Sequence, residues 1–284
     1  MKNLRRLPPP YIEYFDIIVA EKNETYRGVR NETKARLLAL REEVLEKFNH
    51  YQDKFDFDVL HEVENSPYTG VDKDALVKAY TSSNKKLDLL KSEIKSIQDR
   101  DLQNICPYCG ILTPNSTDHY VPKDDYPEYS ILAVNLVPCC LQCNGKKGDF
   151  WKSGGGRGVI NFYLDSLPQE EILECRVGFD GGIPEVEFSL NNHCGIDLNL
   201  FGLISSHYKR LNLFERFKDS SNDEITSTLD SVQSCSSPSS IEEVRGMLLI
   251  NRDKKIARYG INYWKCALLK GLAHSDEFCD MAMS

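Results

Sequence analysis

The sequence predicts an α+β protein, mainly helical, with a small zinc-stapled segment at its centre. Three observations carry this reading: apolar stripes at helical spacing on both sides of residues 106–149, two Cys-x-x-Cys pairs inside that segment, and one alternating run near residues 174–190.

A chain of 284 residues that is 41% hydrophobic accommodates about two domains with a real core. No apolar run approaches the ~20 residues that span a bilayer, and the opening "MKNLRRLPPP" lacks the apolar stretch of a secretion signal. A cytoplasmic location without membrane association is expected. The ten cysteines should then be reduced, and clustered ones read as metal ligands rather than disulfides. The net charge of −8 argues against the whole molecule being a simple polyanion binder and leaves local basic surfaces open.

Three segments are expected: a helical region over 1–103, a finger over 104–152, and a mainly helical region with a short hairpin over 153–284. In the first, Leu37, Leu40, Val44, Phe48 and Tyr51 recur at spacings of three and four, which predicts an amphipathic helix. Leu76, Tyr80, Leu87, Leu90, Ile94 and Ile97 predict a second, so the two read as a helical hairpin. In the third, "KSGGGRG" reads as a flexible joint, because no Walker-type Lys-Ser/Thr follows its glycines. "ECRVGFDGGIPEVEFSL" alternates like a hairpin around Gly181 and Gly182, and Ser239-x-x-Glu242 reads as a capping box opening a helix.

The chemistry is concentrated in "CPYCGILTPNSTDHYVPKDDYPEYSILAVNLVPCCLQCNGKKGD". Cys106 and Cys109 form one knuckle, and Cys140 and Cys143 form another, the layout of two turns closing on one tetrahedral zinc. Cys139 lacks the two-residue spacing and reads as a small buried side chain, with substitution for Cys140 as the alternative. Four thiolates fill the coordination sphere, so such a zinc is structural and any reaction must come from what it holds in place. Asp118, His119 and Asn144 are the groups that closure could bring together. In a strand, Asp118 and His119 would point to opposite faces, which asks for a twist, a bulge or a two-faced hairpin.

"DHYVP", then Asn135 in "AVNLVP", then "CLQCNGKKG" resembles the HNH, or ββα-metal, nuclease finger, in particular its four-cysteine, endonuclease VII-like branch. The resemblance covers roughly Cys106 to Trp151. It implies a ββα fold and metal-dependent endonuclease activity. It further implies that Asp118 and Asn144 bind one catalytic divalent ion, that His119 is the general base, and that Asn135 stabilises the finger loop as part of the catalytic set. Asn144 in place of a histidine favours a hard ion such as Mg²⁺, with Mn²⁺ as the alternative. The reaction asks for the same groups independently: a water deprotonated near neutral pH and a cation beside the scissile phosphate.

The finger has four lysines against five carboxylates, so its grip on a polyanion must come from elsewhere. Lys147, one turn after Asn144, is a candidate phosphate contact. From Arg245 to Lys270 seven basic residues face one acid, interleaved with Tyr259, Tyr263 and Trp264, and Arg252, Lys254, Lys255 and Arg258 are candidate phosphate contacts. The alternative is an amphipathic helix whose aromatics are core.

The reading that unites these features is a Mg²⁺-dependent endonuclease with a structural Zn²⁺, cutting nucleic acid, with DNA expected rather than RNA. HNH nucleases with unrelated flanking helices resemble effectors of bacterial anti-phage systems, which implies an ATPase partner of the ABC or SMC type. Two alternatives stand beside it: an inactive zinc-finger adaptor binding nucleic acid or protein, and a stand-alone restriction-type nuclease.

Overall fold

The computed structural model describes residues 1–26, 28–80, 84–235 and 238–283. Its described elements are mostly helices, with four two-stranded antiparallel pairs, so the α+β expectation holds. Backbone contacts divide the chain into two compact units. One comprises 3–108 and 112–165, the other 1–2, 109–111 and 166–284.

The first unit opens with α1 (Ile12–Ala20), then the short pair β1 (Thr25–Tyr26) and β2 (Val29–Arg30). The stripe read as one helix is two, α2 (Glu32–Ala39) and α3 (Arg41–Asp56), which meet at Leu40. The apolar period survives the break: Leu37, Leu40, Val44, Phe48 and Tyr51 are all buried. The second stripe is likewise α4 (Gly70–Ala79) and α5 (Lys85–Ser96). Asn84 caps α5 by accepting from the N–H groups of Lys86 and Leu87, which satisfies donors that a helix start leaves free. The expected two-helix hairpin is therefore four helices among the described residues, packed with α1, because each stripe is interrupted where a cap or turn competes with helix continuation.

Against these helices lies the finger: β3 (Ser116–His119), β4 (Leu136–Cys139) and α6 (Leu141–Lys147). The pair β5 (Lys152–Ser153) and β6 (Gly156–Arg157) follows. The glycine stretch is thus a tight hairpin rather than a flexible joint. Gly154 and Gly155 both take positive φ, 60° and 83°, as a two-residue turn matched to strand twist requires.

In the second unit, β7 (Leu173–Asp180) and β8 (Ile183–Leu190) form the expected hairpin, turning at Gly181 and Gly182. Among the described residues five helices follow: α7 (Leu198–Leu211), α8 (Leu213–Cys235), α9 (Ile241–Tyr259), α10 (Trp264–Ala273) and α11 (Asp276–Met283). The cap of α9 is shifted by one residue from the sequence reading. Ser240 accepts from Glu243 N–H at 3.3 Å, and the Glu243 carboxylate accepts from Ser239 N at 2.7 Å. Phe188, Phe217 and Trp264 form the aromatic centre of this core, the last two stacked 5.8 Å apart.

Candidate active site and zinc centre

The four predicted zinc ligands are all buried, and their sulfurs lie within 4.8 Å of one another. A tetrahedral zinc with bonds of ~2.3 Å needs sulfurs ~3.8 Å apart, so the set is close to closed around such an ion. The surrounding backbone is arranged for thiolates: N–H groups of Ile111, Cys140 and Cys143 donate to the sulfurs of Cys109, Cys106 and Cys140 at 3.3–3.4 Å. These donors stabilise negative sulfur, and the cluster can hold zinc. Cys139 is buried beside it, and burial pushes its thiol up to about 12, so it stays neutral.

Strands β3 and β4 pair in regular register, Ser116 with Cys139 through His119 with Leu136, with no bulge. The two faces of β3 therefore carry different groups, and the two-faced hairpin is the arrangement adopted. Asp118 faces inward, 3% exposed. Its Oδ2 accepts from the Tyr108 hydroxyl at 2.6 Å and its Oδ1 from the Lys147 ammonium at 3.1 Å. Burial pushes its carboxyl above the usual range, while Lys147 and Tyr108 act in the opposite direction.

His119 lies on the other face. Its Nε2 is 2.8 Å from the Ser130 carbonyl, a group that only accepts, so Nε2 carries the proton and Nδ1 keeps the lone pair. Tyr80 packs edge-on against the imidazole at 4.4 Å between centroids, and the Lys91 ammonium sits 4.5 Å from the centre of the Tyr80 ring. This cover leaves His119 8% exposed, and burial pushes its pKa down to about 4, so the ring is neutral at physiological pH.

Asn135 is fully buried. Its amide nitrogen donates to the carbonyls of Val121 and Tyr129, and its Oδ1 accepts from Val121 N and the Tyr51 hydroxyl. It holds the loop that follows β3. Asn144 donates to the Ser116 hydroxyl at 2.6 Å and to the Thr117 carbonyl at 3.3 Å, which brings α6 against the strand that carries Asp118.

Lys147 departs from the sequence reading. It is fully buried, and its ammonium also donates to the carbonyls of His119 and Gly148, so it is part of the interior rather than a phosphate contact. The basic tail divides. Arg252 is ion-paired to Glu171 at 3.1 Å and Lys255 to Glu224 at 3.3 Å, whereas Lys254 and Arg258 are exposed on α9. Tyr263 and Trp264 are core, 5% and 3% exposed, so the proposed stacking surface is an amphipathic helix and its packing. The sequence reading missed Tyr108, Ser130 and Tyr80, which contact Asp118 or His119. Tyr108, inside the Cys-Pro-Tyr-Cys knuckle, was findable from its neighbours, whereas Ser130 acts through its backbone and Tyr80 through the fold.

A two-stranded hairpin and a helix closed by four cysteines, with an aspartate-histidine pair on the first strand, form a ββα finger. Residues 106–150 match the family model of the HNH endonuclease, and this segment is an HNH endonuclease domain. The chain is 25% identical over 185 residues to protein ea31 of Escherichia phage lambda, covering 61% of this chain and 62% of that protein. It is 40% identical over 50 residues to the Septu protein PtuB of Bacillus thuringiensis, covering 16% of this chain and 20% of that protein. The chain thus spans less than two thirds of each of these relatives. No solved structure matches. No described helix is long and apolar enough to cross a membrane.

Proposed function

We propose that this protein is a divalent-metal-dependent endonuclease that hydrolyses phosphodiester bonds, in DNA rather than RNA. The observation that carries the reading is His119: with Nε2 bonded to the Ser130 carbonyl, Nδ1 is the nitrogen available to accept a proton. In this scheme His119 Nδ1 takes the proton of the attacking water. The donor set of Asp118 and Asn144, one carboxylate and one amide oxygen, suits Mg²⁺ or Mn²⁺. Such an ion supplies charge to stabilise the leaving oxygen. Asn135 contributes by fixing the loop behind His119, and the zinc by fixing the ends of the finger.

The likeness to the Septu protein PtuB and the resemblance to HNH defence effectors support a place as the nuclease of an anti-phage system acting in the cytoplasm, with an ATPase of the ABC or SMC type controlling cleavage. A second reading, the inactive adaptor, is favoured by two observations: His119 is covered by Tyr80 and Asp118 is occupied by Lys147. Purified protein incubated with plasmid, single-stranded DNA and tRNA, in Mg²⁺ or EDTA, with and without the ATPase, separates them. Metal-dependent cleavage of DNA that His119→Ala removes supports the nuclease, and intact substrates under every condition support the adaptor.

A further inference from the structure

A lysine with no exposed surface is rare, because removing an ammonium from water is costly unless the interior supplies compensating charge and acceptors. Lys147 has both. Its Nζ lies 3.1 Å from each oxygen of Asp118, and it also donates to the His119 carbonyl at 3.0 Å and to the Gly148 carbonyl at 3.3 Å. The side chain therefore ties the end of α6 to both residues of the aspartate-histidine pair. The Tyr108 hydroxyl holds the Asp118 Oδ2 from a further direction at 2.6 Å.

This arrangement bears on the metal site. A divalent cation on Asp118 needs one carboxylate oxygen at ~2.0–2.1 Å and is repelled by a neighbouring ammonium. In the structure the carboxylate is already neutralised by a protein cation at hydrogen-bonding distance to both oxygens. Metal entry must displace or share that pairing. The Asn144 amide, bonded through its nitrogen to Ser116 and Thr117, presents its oxygen without such a competitor among the described contacts.

We infer that Lys147 is a positioning residue that serves as the resident counter-ion of Asp118, so that the ammonium and the catalytic divalent ion compete for one carboxylate. The inference rests on the reading of Asp118 and Asn144 as a metal site. The consequence is a site that binds its cation weakly alone and fills when anionic phosphates of a substrate add ligands and charge. Lys147 thereby keeps Asp118 in place without the metal and sets the threshold for loading.

The test is Mn²⁺ affinity of the full-length, zinc-loaded protein without nucleic acid, read from the loss of the free-Mn²⁺ electron paramagnetic resonance signal. Lys147→Gln keeps a donor for the two carbonyls and removes the charge, and it is expected to bind Mn²⁺ at least tenfold more tightly than wild type. Adding Asp118→Asn to it should abolish that gain. Equal or weaker Mn²⁺ binding by a folded Lys147→Gln protein overturns the inference and leaves the metal site standing. Absence of Mn²⁺ binding in every form overturns the metal-site reading and this inference with it. Should Lys147→Gln lose zinc or helicity, the wild-type protein decides the matter through its ¹⁵N spectrum with both lysine and asparagine labelled. The Lys147 ammonium resonance is expected to shift with Mg²⁺ in step with the Asn144 side-chain amide, and an ammonium unmoved while Asn144 shifts overturns the inference.

Discussion

The Nε2 atom of His119 and the carbonyl oxygen of Ser130, eleven residues apart in sequence, lie 2.8 Å from each other, and this contact decides which imidazole nitrogen is free. Replacing His119 by Ala removes that nitrogen and neither metal ligand set. The expected result is a loss of about 10²- to 10⁴-fold in cleavage rate with zinc content and fold intact. Raising Mg²⁺ should not restore it. Wild-type cleavage by the variant, in a preparation free of other nucleases, places the chemistry outside the finger.

Cys143 is fully buried and its N–H donates to the Cys140 sulfur, so it can serve a zinc ion both as a ligand and as a support. Cys143→Ser should lose zinc and unfold the finger, since structural zinc contributes on the order of 10 kcal/mol to folding. Elemental analysis and circular dichroism check this. A folded variant retaining one zinc per chain contradicts it.

Asn135→Ala leaves the Val121 N–H and carbonyl without their Asn135 partner in a fully buried place, and removes one of the two donors to the Tyr129 carbonyl, which keeps the Leu132 N–H. The expected cost is about 2–4 kcal/mol, seen as a lower urea midpoint. Cleavage should fall with it, because the loop behind His119 loosens. A midpoint within error of wild type would show that water replaces the amide without loss.

Glu128 is 2% exposed with its carboxylate accepting from the Ser66 hydroxyl at 2.7 Å, and burial pushes its pKa above the ordinary 4.5. A carboxyl whose folded pKa exceeds its unfolded one contributes fully below about 4.5 and loses that contribution as pH rises through the folded value. Glu128→Gln should therefore raise the melting temperature at pH 7, and the gain should shrink as pH falls toward 4.5. Lower stability of the variant at pH 7 refutes the assignment.

Arg252 and Lys254 lie two positions apart on α9 but have different surroundings. Arg252→Ala breaks the pairing with Glu171 and is expected to cost about 1–3 kcal/mol of stability. Lys254→Ala, at an exposed position, should leave stability within about 0.5 kcal/mol. Thermal melts of the two variants decide it. If the stabilities are equally unaffected, the ion pair is not part of the second unit's support.

The four-cysteine cluster was legible because its signal is local: cysteines at fixed spacing specify a site with little help from the rest of the fold. The hairpin at Gly181–Gly182 was legible for the same reason. The helical stripes were legible as apolar period, but their division at Leu40 and before Asn84 was not, since a stripe reports burial and not continuity. Lys147 was misread because a lysine near the end of a short helix is ordinarily solvated, and only the position of Asp118 across the finger makes its burial favourable. Tyr263 and Trp264 likewise satisfy a nucleic-acid pattern and a core pattern equally well, and only packing against Phe217 and Tyr259 distinguishes them.

The finger's interior is completed by residues from far upstream: the Tyr51 hydroxyl reaches Asn135, and the Ser130 hydroxyl donates to the Leu76 carbonyl at 2.7 Å in α4. A fragment cut at residues 104–152 would keep the four clustered cysteines Cys106, Cys109, Cys140 and Cys143 and yet lack both supports and the ring that covers His119. The finger is consequently a poor cassette for transplantation. Grafted into another scaffold it would keep the four cysteines and the Ser130 contact but not the cover over its histidine, and a chimaera would need α3, α4 and Tyr80 to travel with it.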